Sequence, residues 1–319
     1  MSDVKFVRRM DGLTYEFARD GETHGFPSYK RVDMDLWCRR LPDFGWVVCS
    51  ASGEVSSRPF DDSGRGDLPP EGVWVSRKGD RSYVYDLIRG DGDGTPTLRM
   101  HDWHIEAREY VRHETRRGRR FAYPELDPQR TALVAIDMVP LHVSGNAYCR
   151  AIVPNINRLA GALRVAGGTV VWVVPATGEP TEGAIEFFGP EIAETYSNVG
   201  ASGSLPTRLW PELATRDDDL YVDKSAFSAF FPGRCLLPQL LEQRHIDTVL
   251  ITGTVTNVCC ESSARDAATL GFRVIMVADA NAARRDRDHN ATLHTVYRSF
   301  GDVRPTADVL TMIDPATRL

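Results

Sequence analysis

Three side chains with complementary chemistry stand apart in this chain: the carboxylate of Asp137 in AIDM, the ammonium of Lys224 in DKSAFSAF and the thiol of Cys259 in GTVTNVCCESSARDA. A thiolate attacks carbonyl carbon, a carboxylate can take the thiol proton and return it to a leaving group, and an ammonium favours both anions. Each residue also has a plainer reading, with Asp137 as a turn or helix cap, Lys224 as a surface charge and Cys259 as a small core residue. What gives the combination weight is where the surrounding elements must put it.

The stretch 248–279 opens with an apolar run, Val249 to Ile251, breaks at Gly253 and presents Thr254-Val255-Thr256-Asn257. It then carries Cys259 and Cys260 into a helical spacing of Ala264, Ala267 and Ala268. This spells a buried strand, a tight turn and a helix whose first turn holds a thiol, where unpaired N–H groups and the helix dipole favour the thiolate. From Thr131 onward the same alternation recurs: strand ALVAIDMV, helix IVPNINRLAGALRVAG, strand TVVWVVPA, an irregular stretch from Thr177 to Leu205, strand DLYVDK, helix CLLPQLLEQRH, strands TVLITG and RVIMVAD, and the last helix HNATLHTVYRSFG before VRPTADVLTMI. The expected fold class is therefore α/β, a Rossmann-like parallel sheet with helices on both faces, joined by right-handed crossovers. Ligands bind such sheets at the carboxyl ends of the strands. Asp137, Lys224 and Cys259 each follow a strand there, so one crevice would receive all three.

In order and local motif, these residues resemble those of the isochorismatase-like cysteine hydrolases, among them nicotinamidase, N-carbamoylsarcosine amidohydrolase and ureidoacrylate amidohydrolase. The resemblance spans about residues 129–319. It implies Cys259 as nucleophile, Asp137 as general base and acid, and Lys224 as the cation holding the pair. It also implies a cis peptide at Thr254–Val255 and an oxyanion hole from the backbone N–H groups of Val255 and Cys259, a kind of donor worth roughly 3 kcal/mol. Cys260 would face the helix packing. The activity implied is cleavage of a C–N bond in a small amide, ureido or carbamoyl substrate through a thioester. Two alternatives stand beside it: hydrolysis of an ester or isochorismate-type vinyl ether on the same fold, and a non-catalytic binding or assembly protein. A homo-oligomer, a dimer first, is implied as well.

The chain departs from the family pattern in two places. Met138-Val139-Pro140-Leu141-His142 replaces the usual Gln-Asn-Asp-Phe type of sequence after the aspartate, so the pocket wall differs. Where nicotinamidases carry an Asp and His metal cluster, this chain has Pro175-Ala176-Thr177-Gly178-Glu179. No catalytic metal and no cofactor are therefore expected. Candidate substrate contacts are Phe187, Phe188, Phe227 and Phe230 for an apolar wall, and Arg284 and Arg285 for a substrate carboxylate; packing and plain surface charge are the competing readings.

Ahead of this domain, residues 1–95 read as a β-rich module. Short β-branched and aromatic runs such as LTYEFAR, GWVVCSASGEV and RSYVYDLI are separated by Gly, Pro, Asp and Ser. Trp37, Trp46, Trp74 and Trp103 in and after it read as core or as a ligand surface. GDGDGTP, residues 90–96, reads as a flexible joint, followed by a linker with a helix over 96–128. In that linker Met100 to Arg117 can form a helix bearing His101, His104 and His113, whose spacing lacks the Cys or carboxylate partners of a metal site, and RRGRR reads as a solvated run.

Composition bounds the rest. The 319 residues carry a net charge of -6, 42% hydrophobic residues and six cysteines without a CxxC pair. That excludes nucleic-acid binding as the main task and points to free thiols in a reducing compartment. No apolar run reaches the roughly 18 residues of a membrane span, and MSDVKFVRRMDG lacks an apolar signal core, so a cytoplasmic protein with a small-molecule substrate is expected.

Overall fold

The computed structural model describes residues 3–8, 13–60, 66–78, 81–90, 98–144, 146–199 and 203–314. These fall into two compact units, 1–97 with 179–197, and 98–178 with 198–319. Residues 91–96 of the expected joint lie outside the described residues.

The first unit contains an eight-stranded closed antiparallel barrel: β1 Val4–Arg8, β2 Thr14–Thr23, β3 Phe26–Arg31, β4 Trp37–Leu41, β5 Gly45–Cys49, β6 Val55–Pro59, β7 Gly72–Lys78 and β8 Arg81–Arg89. Pairing of Val4 with Arg89 closes β1 on β8. Alternate residues fill the interior, including Val4 and Phe6, Trp46 and Val48, Tyr85 and Leu87. Trp46 and Trp74 are fully buried, and each donates its indole N–H to a carbonyl, Gly66 and Pro70, at 2.9 Å. A buried Trp needs such a partner, and these two are core residues. Trp37 is only half-buried, with its indole N–H on Asp20 and Lys30 over its ring.

The sequence reading left 177–205 irregular, and here the structure differs. After strand β10 come α5 Glu182–Phe188 and α6 Pro190–Ser197, which cluster with the barrel rather than with the rest of the α/β chain. Thr181 caps α5 by accepting from the Ala184 N–H, and Pro190 starts α6. Both are helix-start signals that the short helix lengths concealed. The linker is also corrected: α1 runs only Ala107–Arg117, and 98–106 is not helical. Tertiary bonds claim that stretch, since the His101 ring meets Asp286 and the His104 N–H donates to Asn290.

The second unit holds a six-stranded parallel sheet. Its strands are β9 Thr131–Ile136, β10 Thr169–Pro175, β11 Leu220–Lys224, β12 Thr248–Thr254, β13 Arg273–Ala282 and β14 Asp302–Arg304, in the order β11-β10-β9-β12-β13-β14. All six residues of β9 are buried. Ala132, Val134 and Ile136 share a core with α7 Leu237–Gln243, α8 Glu261–Thr269 and α9 Asp286–Ser299. Two other helices, α4 Val153–Val165 and α10 Thr306–Ile313, pack on one another and on the sheet. The sequence pattern makes α9 the last helix, whereas VRPTADVLTMI also contains α10. Two short helices, α2 Pro140–Val143 and α3 Ala147–Ala151, lead from β9 to α4. Among the described residues no helix is long and apolar enough to cross a membrane.

The strand order reverses direction between β9 and β12, and in open parallel sheets that reversal is where a crevice opens. There the two strands come unusually close. Gly253 has φ +114°, and a Cβ on it would lie 2.1 Å from the Ile136 carbonyl oxygen. Gly253→Ala should therefore cost about 3 kcal/mol or more of stability, from the forced contact and the strained φ. In α4, Gly161 has nothing within 4 Å of an added Cβ, and Gly161→Ala should stabilise by roughly 0.5–1 kcal/mol. Urea unfolding of both variants beside the parent checks the pair.

Candidate active site

Asp137 follows the last residue of β9 with φ 53°, a left-handed conformation that Asp tolerates better than most residues. Its backbone is pinned from both neighbouring strands. Its N–H donates to the Val173 carbonyl of β10 at 2.9 Å, and its carbonyl accepts from the Thr254 hydroxyl of β12 at 2.7 Å. The carboxylate is buried. Oδ2 takes the Lys224 ammonium at 2.9 Å, while Oδ1 has no hydrogen-bond partner among the described residues.

Lys224 comes from β11, two strands away from β9. With strands about 4.8 Å apart, that gap is roughly 10 Å, which a long lysine stem can reach from an inward-facing position. Its backbone carbonyl accepts from Ala176, and its ammonium donates to Asp137, to the Ala226 carbonyl at 3.0 Å and to the Cys259 sulfur at 3.5 Å. Burial alone would drive Lys224 toward its neutral amine; the Asp137 carboxylate and the Cys259 sulfur outweigh it, and its pKa stands above the ordinary lysine value.

Cys259 reaches the crevice through a π-helical turn, Thr256–Cys260, that leads from β12 into α8. The peptide Thr254–Val255 is cis. The wide turn places Cys259 half-buried and leaves its neighbour Cys260 wholly buried in the core beneath the sheet. The protein packed around the Cys259 sulfur, and then the Asp137 charge, raise its pKa well above the usual thiol value, with Lys224 opposing. The resting site is thus a carboxylate, an ammonium and a thiol, neutral overall, with an unpartnered carboxylate oxygen available for the thiol proton.

The remaining candidates scatter. Phe230 is fully buried against Phe272, Phe227 is 60% exposed, and Phe187 and Phe188 belong to the other compact unit. Arg285 binds Asp288 at 2.6 Å, whereas Arg284 is half-buried and close enough to perturb His142. His142 is a residue that the sequence reading treated only as a changed wall. It lies on α2, five positions past Asp137, and its buried Nδ1 has no hydrogen-bond partner among the described residues. Burial lowers its pKa to about 4, with Arg284 and Lys224 adding to the effect and Asp137 opposing it. The signal was in the sequence, a histidine just past the aspartate, but nothing in its spacing said that the ring turns inward. Among the described residues no group of three or more His, Cys, Asp or Glu is placed to hold a metal ion.

Against known families, residues 131–308 match the isochorismatase domain model. The chain belongs to the isochorismatase family, and its parallel sheet with helices is the fold of an isochorismatase-family hydrolase. It is 33% identical over 195 residues to an uncharacterized isochorismatase family protein of Bacillus subtilis, covering 59% of this chain and 96% of that protein. It is 27% identical to the ureidoacrylate amidohydrolase RutB of Klebsiella variicola, over 60% of this chain and 90% of that one. A cysteine hydrolase structure from Pseudomonas syringae pv. phaseolicola superposes with a TM-score of 0.51 at 29% identity, covering 61% of this chain and 97% of that one.

The opposing influences of Asp137 and Lys224 on the thiol give a test with a sign. Asp137→Asn removes the negative neighbour, so the pH midpoint of Cys259 alkylation by iodoacetamide should fall, while Lys224→Met should raise it. Lys224→Met also strands a buried carboxylate and should cost about 3–5 kcal/mol of stability, more than the double variant Asp137→Asn/Lys224→Met. Mass spectrometry of the alkylated peptide across pH, with urea unfolding of the three variants, reads both effects.

Proposed function

We propose that this protein is a metal-independent cysteine hydrolase that cleaves a C–N bond in a small amide, ureido or carbamoyl compound. The observation that carries the reading is the convergence of Asp137, Lys224 and Cys259 at the switch point of the sheet, with the lysine 2.9 Å from the carboxylate and 3.5 Å from the sulfur. The amidohydrolase named among its relatives supports the choice of bond. As substrate enters, Asp137 takes the thiol proton and the sulfur attacks the carbonyl carbon. The negative oxygen of the tetrahedral intermediate is met by the backbone N–H groups of Val255 and Cys259. The C–N bond breaks as Asp137 returns its proton to the departing nitrogen, leaving a thioester. Water, deprotonated by Asp137, then adds to the thioester carbonyl; the C–S bond breaks as Asp137 returns that proton to the Cys259 sulfur, and the acid leaves. Lys224 holds the carboxylate in place and keeps the site neutral at each stage.

His142 and Arg284 form the recognition side of this reading. A buried imidazole nitrogen without a protein partner is costly until something pairs with it, and substrate is the natural partner. The assembly is read as a cytoplasmic homodimer.

Ammonia or amine release from a panel of amides, N-carbamoyl amino acids and ureido acids, with a chelator present, tests the activity. Release by the parent protein, undiminished by chelator and abolished in Cys259→Ala, is the expected result. No release from any compound while Cys259 is still alkylated would move the assignment to an ester or vinyl ether. Neither release nor alkylation would make the protein a binding module. With a substrate in hand, His142→Ala should raise KM about tenfold or more and lower kcat less, because it removes a contact made with bound substrate rather than with the reacting atoms.

A further inference from the structure

A column of stacked rings runs from the chain ahead of the family domain to the nucleophile turn. The matched domain begins at residue 131, so Arg99 and His101 precede it. The Arg99 guanidinium lies 4.9 Å over the Tyr148 ring of α3. Tyr148 stacks on His101 with centroids 3.9 Å apart and planes within 2°, and the other face of His101 stacks on His289 of α9 at 4.2 Å and 10°. His289 is fully buried, and its Nδ1 shares a 2.9 Å hydrogen bond with the hydroxyl of Thr256, the first residue of the turn that ends in Cys259 and Cys260.

Both imidazoles are biased toward the neutral form. His101 Nε2 lies 3.0 Å from the Ala283 N–H and 3.1 Å from the Ala283 carbonyl oxygen, and its Nδ1 pairs with Asp286 at 2.7 Å. Burial lowers the pKa of His101 despite Asp286, and burial together with His101 lowers that of His289 to about 3. Two uncharged rings can stack face to face at this distance where two imidazolium ions would repel. His101 is thereby fixed by both edges and both faces, and it forms one wall of the space in which His289 must sit to reach Thr256.

We propose that His101 and His289 are positioning residues for the nucleophile turn, with the segment preceding the catalytic domain serving as a built-in brace that sets Thr256 and, through it, the backbone N–H groups from Val255 to Cys259. The proposal rests on the reading of Cys259 as nucleophile only for its effect on rate; the bracing itself is independent of that reading.

The test uses the full chain. Thr256→Val keeps the shape and loses the hydroxyl, His289→Phe keeps a ring on His101 and loses the hydrogen bond, and His101→Ala removes the middle of the stack. Deuterium exchange of the peptide spanning 252–262 should rise in all three while peptides of the barrel are unchanged. Turnover and Cys259 alkylation should each fall about tenfold in Thr256→Val and His289→Phe, with KM within about twofold, and the double variant should lose no more than either single one. His289→Asn, which keeps a polar atom near the Nδ1 position, should recover part of the rate. Unchanged exchange across 252–262 in Thr256→Val and His101→Ala, or fully additive losses in the double variant, would overturn the proposal. If the parent protein neither turns over nor alkylates, yet exchange responds as described, the hydrolase reading falls and the brace stands.

Discussion

A carboxylate and an ammonium, both almost wholly removed from water and 2.9 Å apart, set the terms for everything around them. Neither charge could be buried alone, and together they leave the crevice electrically neutral only if the nearby thiol keeps its proton at rest. Burial and the Asp137 charge raise the Cys259 pKa, and under the proposed function Asp137 is the recipient of the proton when substrate arrives. The pair is thus a structural requirement and the source of the chemistry at once. It also explains why Cys259 is held toward the thiol rather than the thiolate that a helix-start position by itself would favour.

Holding that pair demands a rigid floor, and the sheet supplies it. Asp137 is bonded by its backbone to β10 on one side and to Thr254 of β12 on the other, so its position is set by two neighbouring strands rather than by a loop. The near contact of Gly253 with Ile136 draws β12 against β9 where the sheet order reverses. The π-helical turn then swings Cys259 back over the strand ends while Cys260 anchors in the core. A loop could present the same residues, but not with the sub-ångström consistency that the proposed proton exchange between Asp137 and Cys259 would require.

The two units bring different physics. In the barrel, alternate side chains meet in a small aromatic interior capped by indole hydrogen bonds to Gly66 and Pro70. In the α/β unit, strands such as β9 are buried at every position. Among the described residues of that unit, Asp137 Oδ1 and His142 Nδ1, which lie along the short path from the end of β9 into α2, are without a hydrogen-bond partner, as are Trp210 Nε1, Asn281 Oδ1, His289 Nε2 and Arg304 Nε. Of these, Asp137 Oδ1 and His142 Nδ1 stand at the carboxyl ends of the strands, where ligands bind such sheets.

Much of this was legible in the residues themselves. Continuous apolar runs such as ALVAI and VLITG, alternating with amphipathic stretches, dictated a parallel α/β arrangement, because strands buried on both faces need helices to cover them. The same pattern put Asp137, Lys224 and Cys259 at strand ends, since the polar residue that stops an apolar run sits where the sheet meets its crevice. Short-range signals carried less. The two brief helices that start at Glu182 and Pro190 were masked by the Gly and Phe around them, and the helix expected from Met100 began only at Ala107 because His101 was recruited by residues more than 180 positions away. Spacing along a chain fixes which face of an element a residue occupies, and so it determined the fold class and the three converging groups. Which ring meets which, that His142 turns inward, that Arg285 binds Asp288 while Arg284 stays near the crevice, and that His101 stacks on His289 were decided only by tertiary structure. Such contacts join elements whose separation in sequence carries no information about their separation in space.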